Sequence, residues 1–325
     1  MKKLDILIPQ YQETDNIIKP LLDSVAIQQN INFSDIGVII CNDGSKTFLT
    51  PKLLKSYPYE IQYYKEPHRG VSGTRNACLD HSTAEYVMFC DADDMFYNAC
   101  GLYIVFREIE NGGFDSLTSV FIEESRDPLT KKPVYINHEM DSTFVHGKIH
   151  RRQYLLDQNI RWNESLTIHE DSFFNILCQS LSQNVKYSPS PFYLWRWRDD
   201  SVCRHDPKYI LKTYSNMIDS NDALVTEFIQ RKMMDKAQFY VGFLVFDAYY
   251  TMCKPEWIQQ ENQQYRNNVE CRFAKYYHKR KKLWDKISSQ DRMQISNAVR
   301  NRTIMEGMEM EKITIDAWLK RINKL

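Results

Sequence analysis

Three closely spaced aspartates are the residues best suited to bind a cation. Asp91-Ala92-Asp93-Asp94 directly follow the apolar run 86–90. In an extended segment Asp91 and Asp93 project to one side, and two carboxylates there suit Mg²⁺ or Mn²⁺, which take further ligands from phosphates. The alternative is a solvated acidic turn in which Asp94 caps a helix starting near Tyr97. Because the cluster terminates a buried strand, the sequence favours the metal site.

Two further polar segments have residue types that can bind a nucleotide or a phosphate. Asn42-Asp43-Gly44-Ser45 predicts a turn in which Gly44 has positive φ. Residues 69–76 hold Arg69 and Arg75 in a glycine-bearing loop that opens a helix at about Thr74, where backbone amides attract anions. Taken alone, each segment is explained at least as well by an ordinary turn or by a helix entry with surface arginines.

The first part of the chain alternates strand and helix patterns. Apolar runs predict strands at 4–8, 36–41, 61–64 and 86–90, with helices after Thr14 and at 74–81. This alternation indicates an α/β fold with a Rossmann-like, mostly parallel sheet flanked by helices. Ligands bind such sheets at the carboxyl ends of the strands. The polar segments 10–13, 42–45 and 91–94 all fall there.

The second part of the chain has a different composition. Residues 1–202 carry 20 basic and 27 acidic side chains, whereas residues 203–325 carry 22 and 15, although the whole chain has a net charge of zero. Residues 208–325 contain two glycines and one proline, which predicts helices joined by short turns. We therefore predict an α/β domain at 1–205 and an all-helical domain at 206–325.

Composition restricts the class of protein. Of the 325 residues, 43% are hydrophobic, which is enough for a packed core, and no run of about 18 apolar residues is present. The N-terminal apolar run stops at Pro9, too early for a secretory signal. The eight cysteines form no C-x-x-C pair and lie in apolar stretches, which favours buried, reduced thiols. We expect a cytoplasmic protein, either free or peripheral at the inner face of the membrane.

Several short motifs follow one another along the chain: Pro9-x-Tyr11-x-Glu13, Asn42 to Ser45, Gly70 to Asn76, Asp91 to Asp94, His146-Gly147-Lys148 to Arg151, Glu170-Asp171 and Tyr193 to Ser201. In this order and spacing they resemble glycosyltransferase family 2. The resemblance covers roughly residues 3–205. It implies a GT-A fold and an enzyme that transfers sugar from a nucleotide-activated donor with inversion at the anomeric carbon.

The resemblance also assigns roles to individual residues. It implies that Asp43 accepts from the uracil N3–H and that Asp171 is the catalytic base. Asp93 would ligate a divalent metal, Mn²⁺ or Mg²⁺, with Asp91 reaching the metal or the ribose. The remaining residues of the implied donor-binding set are Pro9, Tyr11, Glu13, Arg69, Arg75 and Ala92.

The processive Q-x-x-R-W motif of the family is absent, which favours the addition of a single sugar. The resemblance therefore implies a hexosyl- or N-acetylhexosaminyltransferase that uses a UDP-sugar and an acceptor hydroxyl on a surface glycan or similar molecule. Rival hypotheses are a nucleotidyltransferase, a transferase acting on a modified DNA base, and a non-catalytic binder of nucleotide-sugars or nucleic acid. The joint presence of Asp93 and Asp171 argues against the non-catalytic binder.

Some residues keep more than one interpretation. The segment 266–286 has eight basic and two acidic residues interleaved with Tyr276, Tyr277 and Trp284. It predicts a solvated helical face, while docking on an anionic membrane or on nucleic acid and oligomerisation through the helices stay open. The sequence leaves the roles of five residues near the acidic motifs undecided: His169, Trp195, Arg196, Trp197 and Arg198.

Overall fold

The computed structural model describes residues 1–199, 208–303 and 313–325, and the chain forms two compact units, Met1–Ser201 and Val202–Leu325. The predicted domain limit at 205/206 falls outside the described residues and stays a prediction.

The first unit is built on one mixed sheet. Within the described residues its strands are β1 (Leu4–Gln10), β2 (Ile36–Asp43), β3 (Glu60–Glu66), β4 (Tyr86–Phe89), β5 (Met95–Phe96), β6 (Ser116–Arg126), β7 (Pro133–His138), β8 (Lys148–Arg151) and β9 (Val185–Trp195). The spatial order is β3-β2-β1-β4-β8-β6-β9-β5, with β7 paired to β6. The pairs β1–β2, β1–β4 and β2–β3 are parallel, and β8 adds an antiparallel neighbour to β4.

The helices of this unit lie between the strands in sequence, as the alternation predicted. They are α1 (Asp15–Ala26), α2 (Pro51–Leu54), α3 (Gly70–His81), α4 (Gly101–Glu110), α5 (Arg152–Asp157) and α6 (Glu170–Leu181). Helix α1 buries Ile18, Leu21, Leu22 and Val25, which recur at helical spacing. They join a core that includes the inward residues of β1, β2 and β4. This core fixes the strand ends that carry the polar segments.

Two local predictions, and the alternative considered for Asp94, differ from the structure. Helix α3 begins at Gly70 and not at Thr74, so Arg69 is its N-cap. Asp94 caps no helix near Tyr97: α4 begins at Gly101, and the Asp94 carboxylate instead accepts the Tyr193 hydroxyl and the Arg196 N–H. Among the described cysteines, Cys100 and Cys271 are exposed while the other five are buried, and all are free thiols.

The described residues of the second unit are helical, as composition predicted. The helices are α7 (Tyr209–Gln230), α8 (Met234–Met252), α9 (Pro255–Ile258), α10 (Gln263–Trp284), α11 (Ser289–Thr303) and α12 (Ile315–Ile322). A Cβ at Gly242 of α8 would lie 2.8 Å from Ile295 of α11, so the glycine permits close helix packing. Within the described part of the chain, no helix is long and apolar enough to cross a membrane.

The aromatic residues of the basic segment lie inside this unit. Tyr276, Tyr277 and Trp284 are 4–5% exposed. They therefore pack in the core and are not available to stack on a polymer, so their interleaving with charges does not support the alternative of docking on nucleic acid.

Candidate active site

Parallel pairing brings the polar segments to one edge of the sheet. Gln10 of β1 lies beside Asn42 of β2, and Leu7 lies beside Phe89 of β4, two residues before Asp91. The carboxyl ends of these strands therefore point the same way. The structure thus confirms the α/β arrangement that the sequence predicted for this edge.

Asp43 organises one corner of this edge. Its carboxylate is buried and accepts from the backbone N–H of Arg69 at 2.7 Å, and it lies 2.9 Å from His68 Nδ1. Gly44 has φ +68°, as predicted, and a Cβ there would lie 2.7 Å from the backbone nitrogen of His68. The corner therefore couples the end of β2 to the start of α3.

An aromatic surface lies beside that carboxylate. The Tyr11 and His68 rings stack with centroids 5.0 Å apart, and Tyr11 is 46% exposed. The carboxylate of Glu13 accepts from the backbone N–H of Tyr11 and holds this loop. A planar heterocycle with an N–H donor can stack on these rings and donate a hydrogen bond to the Asp43 carboxylate.

The guanidinium of Arg69 does not join the acidic cluster. It donates to both oxygens of Glu164, and this carboxylate raises the pKa of Arg69. Only the backbone of Arg69 reaches Asp43. Ala92 is 4% exposed, so its methyl group packs in the core and only its backbone can take part in a site.

Arg75 connects two acidic segments that are far apart in sequence. This arginine is 4% exposed and donates to Asp91 Oδ1 at 2.8 Å and to Glu170 Oε1 at 3.0 Å. Its guanidinium carbon lies 4.4 Å from the centroid of the Trp162 ring. Asp91 at the end of β4 is thereby joined to the start of α6, where Asp171 lies.

The three carboxyl groups of this network have different pKa shifts. Burial alone would raise the pKa of Asp91, but Arg75 holds it below its usual value. Burial, and then the neighbouring Glu170, raise the pKa of Asp171 to about 7. Burial and the charge of Asp91 raise the pKa of Asp93. An ionised carboxylate thus lies near one that exchanges a proton at neutral pH.

The segment after β9 places Arg196 and Arg198 against Asp93. Arg198 donates to the Asp93 carboxylate at 2.9 Å, and Arg196 donates to the Asp93 carbonyl at 3.2 Å. Trp195 stacks on His146 with centroids 5.0 Å apart, whereas Trp197 donates to Asp199 at 2.9 Å. The tryptophans thus have different surroundings, as their alternation indicated. Asp200 and Ser201 of the same motif lie outside the described residues.

Two residues that sequence reasoning left without a role lie beside the acidic cluster. Ligand atoms of Asp91, Asp94 and His146 lie within 4.8 Å of one another. Burial lowers the pKa of His146 to about 3, so its imidazole is neutral, and among the described residues its buried Nδ1 has no hydrogen-bond partner. Burial lowers the pKa of Lys148 to about 8, although the charges of Asp141 and Asp171 oppose this shift. Both residues flank Gly147 in the motif His146-Gly147-Lys148, and this motif was the signal in the sequence that could have identified them.

The donor set fits a divalent cation. Asp91, Asp94 and the neutral imidazole of His146 are hard or borderline ligands of the kind that Mn²⁺ and Mg²⁺ accept. The predicted ligand Asp93 is not in this group, and its carboxylate is paired with Arg198. Burial, and after it the negative charges of neighbouring aspartates, raise the pKa values of Asp93 and Asp94. A bound cation would relieve that repulsion.

His169 takes an unusual backbone conformation at the start of α6. It occupies the N-cap with φ 63°, in the left-handed region, directly before Glu170 and Asp171. This conformation sets the direction in which the two carboxylates leave the helix start.

The chain belongs to glycosyl transferase family 2, whose family model matches residues 5–177. It is 26% identical over 227 residues to glycosyltransferase GlyA of Streptococcus pneumoniae, covering 62% of this chain and 32% of GlyA. It is 23% identical over 277 residues to the GalNAc(5)-diNAcBac-PP-undecaprenol β-1,3-glucosyltransferase of Campylobacter jejuni, covering 77% of this chain and 83% of that enzyme. The match therefore spans about a third of the length of GlyA.

The solved structures confirm the GT-A fold. The structure of S. aureus TarS residues 1–349 in complex with UDP-GlcNAc has a TM-score of 0.63 to this chain at 16% identity, covering 96% of this chain and 100% of that one.

Proposed function

We propose that this chain is an inverting, metal-dependent glycosyltransferase that moves one sugar from a UDP-sugar to an acceptor hydroxyl. The observation that carries the proposal is the Arg75 bridge, which holds Asp91 and the helix start of Asp171 at the carboxyl edge of the sheet. Sugar transfer needs side chains that bind the donor phosphates and a base that deprotonates the acceptor hydroxyl. This network holds suitable side chains for both tasks at one site.

Asp171 is the base in this proposal. The acceptor oxygen forms a bond to the anomeric carbon while the bond from that carbon to the pyrophosphate oxygen breaks. The acceptor proton passes to the Asp171 carboxylate, and the bonding electron pair leaves with UDP. A carboxyl group with a pKa of about 7 accepts a proton efficiently at neutral pH.

Asp91 and Asp93 are the proposed metal ligands, and Asp94 and His146 have ligand atoms within 4.8 Å of that of Asp91. A divalent cation held there would supply positive charge to neutralise the leaving pyrophosphate. Arg198 is paired with Asp93 and brings a second positive charge to the same region.

The surface formed by Tyr11, His68 and Asp43, called the nucleoside corner from here on, supports uridine as the nucleoside of the donor. Tyr11 and His68 offer ring surface, Asp43 offers a carboxylate, and Pro9 and Glu13 border the same loop. TarS, which has the same fold, has been solved with UDP-GlcNAc. The proposed donors are therefore UDP-hexoses and UDP-N-acetylhexosamines.

The proposed acceptor is a sugar hydroxyl of a surface glycan or of its lipid-linked precursor. The name of the C. jejuni relative specifies a polyprenol-linked oligosaccharide, which supports an acceptor of that class. An acceptor made at the membrane would bring the enzyme to its cytoplasmic face.

The test is release of UDP from a panel of UDP-sugars with Mn²⁺, with and without EDTA, for the wild type and Asp93→Ala. We expect release from one donor that chelation and Asp93→Ala both abolish. Asp157→Asn, an exposed site on α5, is the matched control and should behave as wild type. Donor-induced thermal stabilisation without release, in the presence of an acceptor panel, would contradict catalysis and indicate a binding protein.

A further inference from the structure

A second group of metal-ligating side chains lies apart from the residues proposed for catalysis. Ligand atoms of Cys41, Glu66 and His81 lie within 4.8 Å of one another. None of the three contributes to the Arg75 network or to the nucleoside corner.

Strand register and helix position explain why these residues meet. Cys41 of β2 pairs in register with Tyr64 of β3, and Glu66 lies two residues further on the same face of β3. Helix α3 contributes Cys78 and His81, which the i, i+3 spacing places on one face. Two strands and one helix thus direct nitrogen, sulfur and oxygen atoms to one point.

The imidazole is held ready for coordination. His81 Nε2 lies 2.9 Å from Glu66 Oε1, and the His81 ring stacks on Tyr64 with centroids 3.6 Å apart and an angle of 2°. The Cys41 side chain is fully buried, and its thiol lies within 4.8 Å of ligand atoms of both Glu66 and His81. Since His81 and Glu66 are about one third and one quarter exposed, a cation could enter from their side.

We propose that Cys41, Glu66 and His81 bind a zinc-class cation that clips α3 to strands β2 and β3. Thiolate, imidazole and carboxylate are the ligand types that Zn²⁺ takes in tetrahedral sites. The thiolate and the carboxylate together balance its charge of two. The Cys78 thiol interacts with the Cys41 thiol but is not one of the three mutually close ligand atoms.

The clip acts on the helix that carries Arg75. Fixing α3 at its C-terminal turn restricts movement of the whole helix, including the arginine that bridges Asp91 and Glu170. The proposal does not depend on sugar transfer, because the site shares no residue with the proposed donor or acceptor groups.

Cobalt(II) titration of the chelator-treated full chain, under a phosphine reductant, tests the site. We expect one equivalent to produce thiolate-to-cobalt charge transfer and the intense visible bands of tetrahedral coordination. Zn²⁺ should displace the cobalt and raise the melting temperature. The same bands should persist in Asp93→Ala, because Asp93 is not one of the three proposed ligands. Cobalt bound at the aspartate cluster, which has no thiol, would give no thiolate band.

Matched variants identify the ligands. Glu66→Gln and His81→Gln, at partly exposed positions, should each weaken cobalt binding by more than about tenfold, and Cys41→Ser should abolish the thiolate band. Glu60→Gln on the same strand and Cys271→Ser should bind as wild type. Absence of the thiolate band, or a band unchanged in Glu66→Gln and His81→Gln, would overturn the proposal whether or not Cys41→Ser folds.

Discussion

At the scale of single residues, a direct bond to Arg75 distinguishes the pKa of Asp91 from the pKa of Asp171. Asp91 accepts from its guanidinium and has a lowered pKa, whereas Asp171 is near it without a direct bond and has a pKa raised to about 7. Two carboxyl groups with opposite shifts in one site can take different roles, one ionised and one transferring a proton.

We predict that Asp171→Asn lowers kcat by about 10²–10⁴-fold, because the amide cannot accept the acceptor proton. For the wild type, kcat/KM should rise with pH and level off above about 7, since the pKa of Asp171 lies there and only its ionised form is active. Initial rates of UDP release across pH measure both effects. Donor affinity should be unchanged in the variant, and a variant with near-normal rates would exclude Asp171 as the base.

We predict that Arg75→Ala lowers the free energy of unfolding by about 3–5 kcal/mol, because it leaves the Asp91 and Glu170 carboxylates without their buried partner. Chemical denaturation measures the loss. The control is Lys2→Ala, which breaks the more exposed Lys2–Glu60 pair and should cost less than about 1 kcal/mol. Equal losses in the two variants would show that the bridge does not stabilise the fold.

At the scale of elements, the turn before β8 brings His146 and Lys148 to the site. Gly147 has φ +65°, and its carbonyl accepts from the backbone N–H of Ser119 at 2.9 Å. β8 then pairs antiparallel with both β4 and β6. One strand thus joins the parallel half of the sheet to its mixed half and carries site residues at its start.

We predict that Gly147→Ala is destabilising by about 1–3 kcal/mol, because the new Cβ would lie 2.6 Å from Ser119 Oγ at a positive φ. Gly70→Ala is the matched control: its φ of +76° is close to that of Gly147, but a Cβ there would meet no atom within 4 Å. Denaturation curves of both variants isolate the steric part. If Gly70→Ala costs as much as Gly147→Ala, the contact with Ser119 has no effect.

At the scale of the whole molecule, the positive charge of residues 203–325 is partly neutralised within the helical unit. Arg272 of α10 pairs with Asp219 of α7, and Lys279 and Arg280 pair with Asp222 of the same helix. These pairs and the burial of the segment's aromatic side chains favour packing of α10 over docking on an anionic polymer. Membrane docking and oligomerisation through the helices stay predictions without a test.

We predict that the full chain binds duplex DNA no more tightly than about 10⁻⁴ M at physiological salt, the weak limit of non-specific binding. The reason is that basic side chains already paired with aspartates release few counterions from DNA. Fluorescence anisotropy with a labelled duplex, repeated over a range of salt concentrations, measures this. Tight binding that falls steeply with salt and is lost in Lys282→Gln would instead support the DNA-linked hypothesis.

The sequence by itself determined the features that depend on neighbours along the chain. Largely apolar runs of four to six residues form strands wherever the core covers them, so β1 to β4 and their order in an α/β fold were predictable. Polar residues directly after those runs had to lie at one edge, because parallel strands end on the same side. The metal-binding residue types at 91–94 and the acidic helix start at 170–171 were therefore visible in the sequence.

Only the tertiary structure decided which of these residues meet. The bonds from Arg75 to Asp91 and Glu170 span 16 and 95 residues of sequence. Whether Arg198 reaches Asp93, Tyr193 reaches Asp94 or His81 reaches Glu66 depends on the register of strands and on the place of each helix over the sheet. Periodicity gives the direction of a side chain within its own element, but its partner across the fold is fixed by how the elements pack around the shared core.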